Sequence, residues 1–125
     1  MSVWTQVTGS FYIYDFQDEM ETRLKSFMRD NYGRLPCGSE RGLTYGVTVS
    51  DLVTEGTFGD GEKQEIHGAC QLHIFGSLRD KSVEMCKEKM DDFVRVLVSA
   101  YPVRIGQVLM YDGFGDIYNR KTFEG

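Results

Sequence analysis

The hydrophobic and polar positions of this chain repeat in six segments, whose periods alternate between those of strands and helices. Alternation at every second residue predicts a strand, and apolar residues three or four positions apart predict an amphipathic helix. The segments read strand, helix, strand, strand, helix, strand, over residues 10–16, 18–29, 43–53, 66–75, 83–101 and 103–111. This order predicts an α+β fold, a ferredoxin-like split β-α-β-β-α-β sandwich forming a single domain over residues 1–125. Because that architecture carries many unrelated functions, it does not indicate what the protein does.

Local signals support the predicted ends of both helices. Asp18, followed three residues later by Glu21, resembles a capping box at the start of the first helix. Asp80 or Ser82 can cap the second helix, and Pro102 prevents its continuation.

Turn-forming and aromatic residues predict the connections. Residues 36–42, with the sequence PCGSERG, read as a loop before the second strand. Residues 59–61, Gly-Asp-Gly, predict the turn of an extended hairpin between the second and third strands. The tail over residues 113–125 is rich in aromatics, so it either adds a C-terminal strand or packs against a neighbour.

Composition and charge narrow the class of protein. The 125 residues are 41% hydrophobic and 26% charged, which is typical of a soluble globular domain. With 19 acidic and 14 basic residues, the net charge of −5 disfavours a general nucleic-acid binder. The first residues lack the features of a signal peptide, and no apolar run approaches the roughly 20 residues of a membrane span. We therefore expect a cytoplasmic protein with no membrane partner.

The cysteines and histidines do not form a metal-site pattern. Cys37, Cys70 and Cys86 are widely spaced without a CxxC pair, and we interpret Cys70 and Cys86 as small core residues. His67 and His73 lie six residues apart, whereas a metal pair on one strand favours a spacing of two. We expect no metal and no cofactor.

Aromatic side chains lie on both sides of the first predicted strand, with Phe11 opposite Tyr12 and Tyr14. An RNA-recognition module also needs aromatic residues in a basic motif on its third strand, and residues 67–76 (HGACQLHIFG) do not match. We interpret one side as core. The other is then an exposed apolar patch, which predicts a homo-oligomer.

Three arginines are candidates for binding an anionic group. Arg41 lies in the Gly-rich loop, Arg79 just before the second helix, and Arg104 at the start of the last strand. The expected topology places the loops before the second and fourth strands at one end of the sheet. Arg41 and Arg104 should then converge within one subunit, and Arg79 should meet them only across a subunit boundary.

Three motifs together resemble a family of small proteins from tailed bacteriophages. They are SVWTQV at residues 2–7, LPCGSERGLTY at residues 35–45 and IFGSLRD at residues 74–80. The family pattern reads SVWTHV, PTGSEG and IFGDLRD, so this chain departs from it with Gln6 for His, Arg41 for Gly and Ser77 for Asp. The missing histidine argues against a catalytic role for position 6.

The resemblance implies a phage protein acting in the host-cell cytoplasm against host antiviral defence. Such a protein acts without catalytic residues, by sequestering a nucleotide messenger or by binding a defence effector. A sponge of this kind needs a pocket, arginines for phosphate and aromatics for stacking. The candidate ligand-binding residues are Trp4, Ser39, Glu40, Arg41, Arg79 and Arg104.

Two alternatives to the sponge remain open from the sequence. One is a protein–protein inhibitor that uses an aromatic face of the sheet, and the other is a small nucleotide hydrolase.

The role of Trp4 is also open: it is either the stacking surface of a ligand pocket or a buried structural residue. Arg41 would bind the anionic group, and Ser39 would supply a hydroxyl.

Overall fold

The computed structural model describes residues 3–14, 19–49, 56–58, 62–64 and 69–123. Within these residues the chain forms two α-helices, a 3₁₀ turn and seven strands. The helices are α1 (Met20–Asn31) and α2 (Val83–Ala100), and the 3₁₀ turn is Tyr32–Arg34. The strands are β1 (Trp4–Tyr14), β2 (Thr44–Val49), β3 (Gly56–Phe58), β4 (Glu62–Gln64), β5 (Ala69–Arg79), β6 (Val103–Asp112) and β7 (Ile117–Phe123).

Five of these strands form one antiparallel sheet in the order β2-β5-β1-β6-β7. The predicted α+β class is confirmed by this sheet and the two helices. The C-terminal tail adds the edge strand β7, which decides between the two alternatives left by the sequence. The short strands β3 and β4 pair with each other, and the predicted turn at residues 59–61 lies outside the described residues.

The core lies between the two helices and one side of the sheet. Both helices bury residues at helical spacing, as their patterns predicted. From the sheet, alternate residues such as Phe11 and Leu72 point into the same core and are fully buried. Cys70 and Cys86 are buried there too, which confirms their interpretation as core residues, whereas Cys37 is exposed.

The side of the sheet away from the helices carries the other set of alternate residues, and we call it the open face. Its members follow from the strand register and from their exposure. They are Trp4, Gln6, Thr8, Ser10 and Tyr12 of β1, Thr44, Gly46 and Thr48 of β2, Gln71, His73, Phe75, Ser77 and Arg79 of β5, Ile105, Gln107, Leu109 and Tyr111 of β6, and Ile117, Asn119, Lys121 and Phe123 of β7.

The two helices begin in different ways. Ser82 caps α2, because its hydroxyl oxygen accepts a hydrogen bond from the Met85 amide at 3.3 Å. At the start of α1, Glu19 has a left-handed φ of 69° and makes no side-chain cap. The capping box predicted with Asp18 lies outside the described residues. No helix in the described part of the chain is long and apolar enough to cross a membrane.

Two carboxylates tie the end of the chain to α2. Asp91 accepts hydrogen bonds from the Tyr118 hydroxyl and from Arg120 (2.7 Å), and so joins β7 to the helix. The Tyr118 hydrogen bond lowers the pKa of Asp91, while burial raises the pKa of Tyr118 to about 12. These contacts hold β7 against α2, in addition to its pairing with β6.

Asp112 is the second of these carboxylates, and it lies buried at the end of β6. Its Oδ2 accepts a hydrogen bond from the amide of Val83 at 2.8 Å, in the first turn of α2. Its Oδ1 accepts from the amides of Phe114 (2.9 Å) and Asp116 (3.2 Å). Donors stabilise the charged form, so the Val83 amide above all lowers the pKa of Asp112.

Candidate functional site

The predicted motifs meet at the end of the sheet where β1 begins. Trp4 pairs with Arg79, because β1 and β5 are antiparallel and β5 ends there. The sequence predicted that the third strand ends at residue 75, but the alternation of buried and exposed residues continues, with Leu78 buried and Ser77 exposed. The loop leading into β2 reaches the same end, since Thr44 pairs with Phe75.

The loop of residues 37–42 folds back on itself and lies against the end of β5. Cys37 and Gly42 form an isolated bridge, and the Gly38 amide donates to the Arg41 carbonyl at 2.9 Å. The Ser39 amide donates to the Arg79 carbonyl at 3.0 Å, which joins the loop to the strand. This close approach requires glycine at position 38, where a Cβ atom would lie 2.8 Å from the Arg79 amide nitrogen.

Side chains of the loop pair with the residues that end β5. The Ser39 hydroxyl donates to Asp80 Oδ2 at 2.7 Å, and Asp80 turns the chain with a left-handed φ of 62°. Glu40 forms an ion pair with the Arg79 guanidinium, which also lies 5.9 Å from the centroid of the Trp4 ring. Glu40 and Ser39 therefore hold the loop and orient Arg79.

A cleft of about 430 Å³ opens between this loop and the open face. Trp4 is 42% exposed, so the interpretation of a buried structural tryptophan is wrong. Arg41 is exposed, and its guanidinium has no ion-pair partner among the described residues. The lining comprises Trp4, Glu40, Arg41, Gly42, Thr44, Phe75, Gly76, Ser77 and Arg79.

A second cavity, of about 450 Å³, lies beside the end of β6, which neighbours β1 on the side away from β5. Trp4 lines both cavities and so stands between them. The second cavity is aromatic, because Tyr111 at the end of β6 and Phe114 in the turn after it line the wall together with Trp4.

The structure brings together five of the six predicted ligand-binding residues. Trp4, Glu40, Arg41 and Arg79 line the cleft, and Ser39 lies in the loop beside it. Arg104 lies at the opposite end of the sheet, where β6 begins and its neighbour Val103 pairs with Ile13 near the end of β1.

The predicted convergence of Arg41 with Arg104 is therefore wrong, and so is the prediction that Arg79 is reached only across a subunit boundary. In an antiparallel sheet, neighbouring strands run in opposite directions. The third sequence-predicted strand consequently ends where the first begins, and the fourth starts at the far end.

Gln6 and Ser77 face each other across β1 and β5. The Ser77 hydroxyl donates a hydrogen bond to Gln6 Oε1. Both side chains lie beside Trp4, since Ser77 lines the cleft and Gln6 the second cavity. At these two positions the chain has neutral hydrogen-bonding groups that do not titrate.

Several wall residues were not identified from the sequence: Phe75, Ser77, Tyr111 and Phe114. Phe75 and Ser77 alternate with buried residues on β5, so their shared face was readable from the pattern. Their closeness to Trp4 depends on strand register, which the sequence pattern does not give.

Comparisons of the chain with protein-family models, with curated proteins and with solved structures found no match.

Proposed function

We propose that this protein binds a small, anionic, ring-containing ligand of the nucleotide class in the cleft beside Trp4, without transforming it. One observation carries the proposal: an exposed tryptophan lines the same cavity as Arg41, whose guanidinium forms no ion pair with any residue that the structure describes. The volume of about 430 Å³ lies within the usual range for small-molecule sites, roughly 300–1,000 Å³.

The two arginines have different roles in this proposal. Arg79 is already neutralised by Glu40 and lies over the Trp4 ring, so it orients the aromatic surface. Arg41 presents a planar fork of donors, which suits the oxygens of a phosphate. A ring held against Trp4 can extend toward Tyr111 and Phe114 in the second cavity, where further aromatic surface is available.

The pair formed by Gln6 and Ser77 supports binding over catalysis. General acid–base chemistry needs a group that exchanges protons near the working pH. At positions 6 and 77 this chain has a glutamine amide and a serine hydroxyl, where the phage family that it resembles has His and Asp. The hydrolase alternative would have to use another group of the cleft, such as Glu40, which is engaged in the ion pair with Arg79.

The finer fold assignment and the biological setting are parts of the same proposal. The order β2-β5-β1-β6-β7, with antiparallel neighbours, supports a ferredoxin-like split β-α-β sandwich extended by the edge strand β7. The role as a phage-encoded antagonist of host defence rests on the resemblance of the three motifs alone.

Titration of the protein with cyclic mononucleotides, cyclic dinucleotides and cyclic ADP-ribose tests the proposal. Trp4 is the only tryptophan of the chain, so its fluorescence reports stacking at the cleft directly, and calorimetry gives the affinity. A ligand of this class should quench Trp4, and chromatography after incubation should recover it intact.

Arg41→Ala should weaken binding at least about 10-fold, because it removes the charged hydrogen bonds to phosphate. Its melting temperature should stay nearly unchanged, since an exposed arginine contributes little to folding. Arg104→Ala is the matched control, with the same change at the opposite end of the sheet, and should bind normally. If no member of the panel binds the wild-type protein, the nucleotide proposal fails and the protein–protein inhibitor takes its place.

A further inference from the structure

The open face differs in charge from the rest of the protein. The chain contains 19 acidic residues, yet none of the side chains on the open face is an aspartate or a glutamate. Its formal cations are Arg79, which is paired with Glu40, and Lys121, which lies on the outermost strand β7. The centre of this face is therefore uncharged.

Large apolar side chains are spread over the same face. Six of them, on four of its five strands, are Tyr12, Phe75, Ile105, Tyr111, Ile117 and Phe123, with exposed fractions from 45% to 70%. By the strand register, Tyr12, Ile105 and Phe123 adjoin one another at one end of the face, and Tyr111 and Ile117 adjoin each other at the other end. Exposed apolar clusters of this kind are typical of surfaces that contact another molecule. The face is therefore suited to contact with another molecule.

Two amide side chains of the open face already have hydrogen-bonding partners within it. Gln71 Nε2 donates to Ser10 Oγ at 2.8 Å, and Gln107 Nε2 donates to Asn119 Oδ1 at 3.1 Å. Covering these cross-strand pairs would leave few hydrogen-bonding groups unsatisfied, so burial costs less than it would for free amides. A partner can therefore cover these four side chains without supplying a hydrogen-bonding group for each of them.

We propose that the open face is the interface at which two copies of this chain form a symmetric dimer. Two identical faces would bring no carboxylates together, so the self-repulsion expected of an acidic protein is absent at this surface. A nucleic acid would instead require several cations on the face, and Arg79 and Lys121 do not meet that need. The charge pattern thus favours a second copy.

The area of the open face is close to that of one side of a standard protein–protein interface. Strands lie about 4.8 Å apart and rise about 3.3 Å per residue, so the five strands present roughly 700 Å² on this side. A stable interface of standard size covers about 800 Å² on each partner. Trp4 and Phe75 belong to both the open face and the cleft, so the second copy would close the exposed side of the cleft. The dimer does not depend on the proposed ligand.

Light scattering at micromolar protein concentrations tests the interface, without any ligand. The wild-type protein should have twice the 14.3 kDa mass of one chain. Ile105→Glu, which adds a charge to the face far from the cleft, should raise the dimer dissociation constant at least about 100-fold. Val98→Glu is the matched control on α2, because Val98 is 41% exposed and Ile105 45%, and it should leave the dimer intact.

Gln71→Glu provides a second variant that changes charge with almost no change in shape, and it should also give monomers, because Gln71 lies opposite Tyr12 and Thr48 and not opposite a cation. Circular dichroism and urea unfolding establish that each variant is folded. A wild-type monomer at micromolar concentration overturns the proposal, as does an oligomer that survives both Ile105→Glu and Gln71→Glu. A wild-type monomer that binds a fluorescent oligothymidylate would assign the face to single-stranded nucleic acid instead.

Discussion

Gly38 lets the loop of residues 37–42 lie against the end of β5, and one added methyl group there tests the geometry of the cleft. A Cβ atom at this position would lie 2.8 Å from the Arg79 amide nitrogen, 3.0 Å from the Arg41 carbonyl oxygen and 3.1 Å from the Leu78 Cα. All three are backbone atoms, which cannot rotate aside, so in Gly38→Ala the loop itself must move outward.

The size of the effect follows from what that movement weakens. The hydrogen bonds from the Gly38 amide to the Arg41 carbonyl and from the Ser39 amide to the Arg79 carbonyl hold the loop in place. Each contributes about 0.5–1.5 kcal/mol net, so Gly38→Ala should lower the free energy of unfolding by about 1–3 kcal/mol. Overpacking of a tight site costs a similar amount, typically 1–3 kcal/mol. Arg41 and Glu40 move with the loop, so ligand binding should weaken as well.

Gly46→Ala is the matched control, because a Cβ atom there meets no atom of the described residues within 4 Å. Alanine is favoured over glycine in a strand by roughly 0.5–1 kcal/mol, so this variant should be as stable as the wild type or more so. Urea unfolding followed by Trp4 fluorescence measures both variants. Equal free energies of unfolding for Gly38→Ala and Gly46→Ala would refute the close approach of the loop.

Two further predictions concern the core and the acid stability. Leu97→Ala should lower the free energy of unfolding in urea by about 2–5 kcal/mol, because Leu97 is fully buried. Val98→Ala is the control and should change it by less than about 0.5 kcal/mol. A loss below about 1 kcal/mol at Leu97 would contradict the assigned core. The folded-state pKa of Asp112 is lowered, so its stabilising effect is present above the unfolded value of about 3.9 and is lost as the pH falls through and below it. Asp112→Asn should therefore be less stable than the wild type at neutral pH, with the difference shrinking in acid; a constant difference from pH 7 to pH 3 would exclude this role.

The hydrophobic pattern of the chain determined the elements and their buried sides. Helix α2 was predicted over residues 83–101 and is observed at Val83–Ala100, with Ser82 as its cap, because helical periodicity and capping are encoded within a few residues of each other. The alternation in the first strand likewise separated Phe11, which is buried, from Tyr12, which is exposed. The end of the third strand was predicted too early, at residue 75, whereas pairing with β1 continues the strand to Arg79.

The sequence also singled out the loop and arginines of the candidate site, but it misplaced their partners. Ser39, Glu40 and Arg41 stood out locally, as a polar run between glycines. Only the antiparallel pairing of β1 with β5 places Arg79 beside Trp4 and leaves Arg104 at the opposite end. Periodicity within a segment reflects interactions between near neighbours in the chain. The direction and register of each strand reflect contacts between residues as distant as Trp4 and Arg79, which only the folded chain brings together.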